Sequence, residues 1–147
     1  MWRSTEYEDL FGIKLADASS WDPEKAFDAV EDEEARRTAL KEDARTWLDD
    51  DGVLAVVGVD ELWSGVGVVW TLITERSRER GFALTRNVLR EIGKLHNKGY
   101  WRLQATVARG DEEARLWIVR LGFSFEGTMV AYGPNKETHD MYARVRQ

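Results

Sequence analysis

The chain contains no cysteine, which excludes disulfides, thiolate nucleophiles and cysteine-based zinc sites. It has only two histidines, His96 and His139. They are too far apart in sequence to form a metal-binding motif, so no metal is expected. Long hydrophobic runs are missing as well. The longest, residues 53–59 and 65–73, are too short to cross a bilayer as helices. The opening residues, MWRSTEYEDL, are acidic and lack the apolar stretch of a secretory signal. These absences predict a cytoplasmic protein without a membrane partner. Internal repeats and low-complexity linkers are absent too, so the 147 residues are expected to form a single domain, 1–147.

What is present is globular in character: 43% hydrophobic and 33% charged residues, with seven tryptophans. Aromatic side chains carry the largest burial areas, so most of the tryptophans are expected in the core. The net charge is −6, which argues against a general nucleic-acid partner. The charge is uneven. Residues 1–51 hold 7 Lys/Arg against 16 Asp/Glu, whereas residues 76–94 carry six basic side chains against Glu79 and Glu91. Mixed charge of this kind ordinarily marks a solvated helix face, but it also suits a local anion site on an acidic protein.

Patterning gives the element order. A short strand opens at residues 1–5, followed by helices over 6–16, from Asp22-Pro23 onward, and over 32–41. A strand at 45–49 turns at Asp50-Asp51-Gly52 into a partner at 53–59. Residues 60–64 read as a loop, and 65–74 as a further strand. Phe82, Thr85, Val88, Leu89, Ile92 and Leu95 recur at helical spacing, predicting an amphipathic helix over 80–97 closed by Lys98-Gly99. A strand at 101–107 precedes a helical stripe of Ala114, Trp117, Ile118 and Leu121. Strands at 123–132 and 138–145 flank the turn Gly133-Pro134-Asn135. The order β-α-α-β-β-β-α-β-α-β-β predicts an α/β fold with a mixed sheet, in which a helix crosses between two parallel strands.

The most informative segment runs from Trp70 to Ala83. A strand ends near Ile73, a basic stretch follows, and a helix opens at Arg80-Gly81. A helix N-terminus favours phosphate, a glycine there admits a ligand close to the backbone, and arginines add forked donors. Arg78-Glu79-Arg80-Gly81-Phe82-Ala83 resembles the pyrophosphate loop of the GNAT superfamily of N-acetyltransferases, with its Gln/Arg-x-x-Gly-x-Gly/Ala pattern. Downstream, Asp111, Ala114 and Leu121-Gly122-Phe123 resemble the family's Asn-x-x-Ala helix start and Leu-Gly-Phe end. Trp70-Thr71-Leu72-Ile73-Thr74 is similar to the fourth strand of GNAT-like proteins encoded by tailed bacteriophages.

The resemblance implies a GNAT-like acyl-CoA N-acyltransferase fold. It implies acetyl-CoA, or another acyl-CoA, as co-substrate, and an amine acceptor, either a small molecule or a protein. Leu72, Ile73 and Thr74 would hold the pantetheine arm. Arg78, Glu79, Arg80, Gly81, Phe82 and Ala83 would cradle the pyrophosphate, with Asp111 and Ala114 also on the cofactor side. The phage likeness implies virion or homo-oligomer partners, and a non-catalytic virion or host-interaction component as the alternative. Two departures from the pattern stand out. Asp111 replaces Asn, placing negative charge near the cofactor arm. Ile118 stands where many members carry the Tyr that protonates the departing thiolate, and its place in the helical stripe makes it a core residue. The general base is left open among Glu75, Asp60, Glu61, His139 and Tyr132. His96 is expected to be structural, and Trp70 to lie beside the acyl channel.

Overall fold

The computed structural model describes residues 1–4 and 44–146; the helices expected over 6–16, from Asp22 and over 32–41 lie outside them. The described strands are β1 (Trp2–Ser4), β2 (Arg45–Asp49), β3 (Gly52–Trp63), β4 (Val66–Ile73), β5 (Arg102–Ala108), β6 (Ser124–Met129) and β7 (His139–Val145). Helices α1 (Glu75–Arg78), α2 (Gly81–Lys98) and α3 (Glu112–Arg120) complete the described elements. The strands form a seven-stranded sheet in the order β1-β2-β3-β4-β5-β7-β6. It is mixed: β4 runs parallel to β5, pairing Val66–Val68 with Arg102–Gln104, while β1–β2, β2–β3, β5–β7 and β6–β7 are antiparallel. The α/β class and the helix crossing between parallel strands agree with the sequence reading.

Two compact units divide the chain, residues 1–60 with 70–84, and residues 61–69 with 85–147. In the first, β2 turns into β3 through Asp50-Asp51, with Asp49 paired to Gly52. The apolar run of β3 is buried throughout, from Leu54 to Val59, as expected of a strand covered on both faces. In the second unit, strict alternation along β5 buries Leu103, Ala105 and Val107, and β7 adds Tyr142 and Ala143. Among the described residues no helix is long and apolar enough to cross a membrane, and no group of His, Cys, Asp and Glu is placed to hold a metal ion.

Several expectations are corrected. Residues 60–63 are not loop: β3 continues to Trp63, its last four residues exposed, because backbone pairing with β4, its neighbour in the sheet, extends the strand whatever its side chains. The turn falls at Ser64-Gly65, where Gly65 has φ +85° and the Trp101 ring lies 2.1 Å from where a Cβ would stand. The basic stretch after β4 contains the short helix α1. Strand β6 stops at Met129, so Tyr132 lies in the turn, which holds Ala131 and Lys136 at positive φ. The described tryptophans are mostly not core: Trp47 is buried, but Trp63 is 65% exposed and Trp101 is exposed too. Phe82, read as the first member of the α2 stripe, is 83% exposed; Leu84, Val88, Ile92 and Leu95 form the buried face.

Candidate functional site

The junction between β4 and α2 is built from Thr74 outward. Thr74 follows the last residue of β4 and caps α1. Its hydroxyl donates to the Leu54 carbonyl at 2.7 Å and accepts from the Ser77 backbone N–H at 3.3 Å. The Thr74 backbone N–H also donates to Leu54 O, at 3.1 Å. Ser77 Oγ donates back to the Thr74 carbonyl at 2.8 Å. Thr74 and Ser77 are both buried, so every polar atom in this knot has its partner inside the protein, as burial demands. The knot fixes the end of β4 to β3 and sets the course of the chain toward α2.

Helix α2 then opens at Gly81, 18 residues long and with no acidic side chain in its first turn. Nothing lies within 4 Å of the position a Gly81 Cβ would take, and Gly81 does not hold a left-handed backbone. Nothing in the described protein therefore demands glycine here; the open space is of the kind a ligand uses to reach the backbone. A long helix starting at such a space presents its positive end to an anion. Arg78, Glu79, Arg80 and Phe82 are all exposed around it, and Ala83 is half-buried.

Two of the arginines in this segment are tied to the β2–β3 hairpin. Arg76 Nη2 donates to both carboxylate oxygens of Asp49, at 2.6 and 2.7 Å, and Arg80 Nη1 stands 3.2 Å from Asp49 Oδ2. The Arg76 guanidinium is the main reason the Asp49 carboxyl is held below its ordinary value, and Asp49 in turn raises Arg76. Asp49 was not among the residues picked from the sequence. It precedes Arg76 by 27 positions, and no spacing rule connects a hairpin end to a loop that far away.

Upstream on β4, Leu72 is buried and Ile73 half-buried. The half-buried Trp70 indole lies over Gly58 of β3, so closely that a Gly58 Cβ would sit 2.1 Å from Cζ2. Trp70 also hydrogen-bonds the side chain of Asp60. Asp60 is open to solvent at its surface, yet the protein around its carboxyl desolvates it enough to raise its pKa; the Trp70 hydrogen bond opposes part of that rise.

The second unit holds the remaining sequence candidates. Asp111 is the N-cap of α3, its Oδ1 accepting from the Ala114 N–H at 3.1 Å. An aspartate does the capping work of the expected asparagine. Ile118 is 8% exposed and packs as the core residue the stripe predicts. Trp117 is half-buried rather than core, its indole N–H donating to Thr85 Oγ1 at 3.0 Å. His96 is structural: Nδ1 lies 2.7 Å from the Tyr100 carbonyl, which only accepts, so Nδ1 carries the proton. His139 is 5% exposed with neither ring nitrogen hydrogen-bonded. Its ring meets Tyr132 edge-on at 5.3 Å between centroids, and Glu137 lies 3.6 Å from Nε2. Glu75 and Glu61 are exposed.

No family model and no curated protein matches the chain by sequence. Solved structures do match by shape. A chimera of the Vibrio cholerae spermidine N-acetyltransferase is similar over 99% of this chain and 95% of its own, with a TM-score of 0.75 and 16% identity. The Escherichia coli ribosomal-protein-S18-alanine N-acetyltransferase is similar over 99% and 92%, at 0.71 and 17%. A Streptococcus pneumoniae acetyltransferase of the GNAT family is similar over 77% and 73%, at 0.61 and 14%. At such identities the likeness speaks for architecture alone: the chain has the mixed α/β fold of the GNAT N-acetyltransferases.

Proposed function

We propose that the chain is an acyl-CoA-dependent N-acyltransferase, with acetyl-CoA as donor and an amine as acceptor. The observation that carries this reading is the start of α2: an 18-residue helix opening at Gly81, no acidic side chain in its first turn, and open space where a Cβ would stand. A pyrophosphate fits that chemistry. The helix end supplies positive potential and backbone donors, and Arg78 adds forked charge. Leu72, Ile73 and Thr74 would flank the pantetheine arm, and the Thr74–Ser77 knot would hold that stretch rigid, which is what positioning catalysis requires. The solved structures of the same fold are named for acetyl transfer to spermidine and to the alanine of a ribosomal protein; both acceptors are amines.

The acceptor's nitrogen attacks the thioester carbonyl, and the thiolate leaves. Ile118 supplies no proton to it. A free thiol has a pKa of about 8.5, so its expulsion at neutral pH requires only modest assistance, and a missing donor slows the reaction rather than abolishing it. That buried Ile118 favours one second reading: a non-catalytic protein of the same fold, such as a phage virion or host-interaction component. Calorimetry with acetyl-CoA tests both. Binding to the unmodified protein, abolished by Gly81→Asp, supports the first reading, because the substitution puts a negative side chain where the pyrophosphate sits. No binding refutes it. Firm binding without turnover on any amine or peptide selects the second.

A further inference from the structure

Asp60 and Trp70 form a carboxylate–indole pair on neighbouring strands of the first unit. The Trp70 ring is seated over the Gly58 backbone and donates a hydrogen bond to the Asp60 carboxylate. Gly58 and Asp60 are two residues apart on β3, hence on the same face. The seat and the hydrogen bond together fix the indole, and the fixed indole orients the carboxylate. Thr74, at the end of β4, lies four residues beyond Trp70, about 13 Å at the rise of a strand. A pantetheine arm running back along β4 from the α2 start would pass Leu72 toward this pair.

The alternatives for a base at this place are poorer on geometry. Glu61 follows Asp60 directly and so projects to the opposite face. Glu75 opens α1, beyond the end of β4. His139 is closed off, with both ring nitrogens buried. Asp60, by contrast, is reachable from solvent while its carboxyl is partly desolvated.

We propose that the Asp60–Trp70 pair is the acceptor subsite, binding the ammonium form of a primary or secondary alkylamine, with Asp60 as the base that takes its proton. The inference rests on the acyl-transfer reading. A carboxylate beside an indole suits an alkylammonium, through ion pairing and through attraction of the cation to the ring. Desolvation makes the carboxylate a better base than it is in water. One ammonium proton passes to Asp60 and on to solvent, freeing the nitrogen lone pair. The C–N bond forms, and a second nitrogen proton is lost through Asp60 as the tetrahedral intermediate collapses. The C–S bond breaks, and CoA leaves as thiolate, which takes a proton from water.

The test compares the unmodified protein with Asp60→Asn, first by calorimetry with acetyl-CoA. The variant is expected to bind it as the unmodified protein does; absence of binding to both refutes the acyl-transfer reading, and Asp60's role with it, whereas loss in the variant alone overturns the acceptor assignment. CoA release is then followed with n-butylamine, an ammonium ion at neutral pH, and with methoxyamine, a far weaker base that is largely unprotonated there. Asp60→Asn is expected to lower kcat/KM for n-butylamine by about 10²–10⁴-fold, the usual worth of acid–base assistance, and to leave methoxyamine much less affected. Independently of turnover, n-butylamine should shift the Trp70 indole N–H resonance in the unmodified protein and not in Asp60→Asn. Equal losses for both nucleophiles, a change under twofold for n-butylamine, or a Trp70 resonance indifferent to the amine would each overturn the assignment while leaving CoA binding intact.

Discussion

Replacing Gly58 by alanine should destabilise the protein through a single contact. The added Cβ would meet Cζ2, Cε2 and Cη2 of Trp70 at 2.1, 2.3 and 2.8 Å. Carbon atoms pack at about 3.5–4.0 Å, so the indole must retreat by roughly 1.5 Å. Overpacking of this kind costs about 1–3 kcal/mol. Against it stands a gain of about 0.4–1 kcal/mol from the stiffer unfolded chain, available because Gly58 does not use a left-handed backbone. The net expectation is a loss of about 1–2 kcal/mol, roughly 3–6 °C in Tm for a chain of this size. Urea denaturation followed by far-ultraviolet circular dichroism measures it. The decisive comparison is the same substitution in a Trp70→Ala background. There the obstacle is gone and the unfolded-state term stands alone, so Gly58→Ala should become neutral or stabilising. If it costs as much without the indole as with it, the ring is not the source and the seating of Trp70 on Gly58 is wrong.

Ile118→Ala should cost about 2–5 kcal/mol, the usual range for truncating a buried aliphatic side chain; a denaturation curve matching that of the unmodified protein would contradict its place in the core. Acid should destabilise the protein through its paired carboxylates. Arg109 holds Asp140 below its ordinary value, chiefly by hydrogen bonding, and Arg102 does the same for Glu126. Groups depressed on folding contribute fully above the ordinary carboxylate pKa, about 4, and lose that contribution as pH falls through the depressed values. Melting temperatures should therefore drop most steeply below about pH 4, and Asp140→Asn should make the drop shallower; an unchanged slope would discount the Arg109 pair.

Local patterns were legible where one residue type answers one physical demand. Alternation in 101–107 and the breaker Gly99 with φ +125° both landed within a residue or two of the structure. The end of β3 was not legible, because Asp60, Glu61 and Ser64 have the composition of a loop and only pairing with a neighbour makes a polar stretch extended. Phe82 shows the limit of helical periodicity. Helical spacing assigns a residue a direction around the axis, but not whether anything covers that end of the helix. The tryptophan count was similarly uninformative about place: Trp63 and Trp101 are exposed although their type favours burial. In the candidate site, the turn around Gly81 could be read directly, whereas Asp49 and the Gly58–Trp70–Asp60 arrangement depend on strands brought side by side.

Asp49 has a consequence for how the α2 start responds to ionic strength. The stretch from Arg76 to Lys94 is strongly basic in sequence, but Arg76 and Arg80 both face the same carboxylate, which offsets part of their charge. An anion bound at Gly81, as proposed, would therefore meet a field weaker and shorter in range than a count of arginines suggests. Mobile ions screen long-range attraction between exposed charges first and short, directed hydrogen bonds least. Recognition at this turn should thus rest on backbone geometry more than on gathered charge, and should persist in salt that would strip an anion from an open basic patch. On the proposed reading, the hairpin bearing Asp49 would act as a filter, letting shape rather than net charge decide which anion stays.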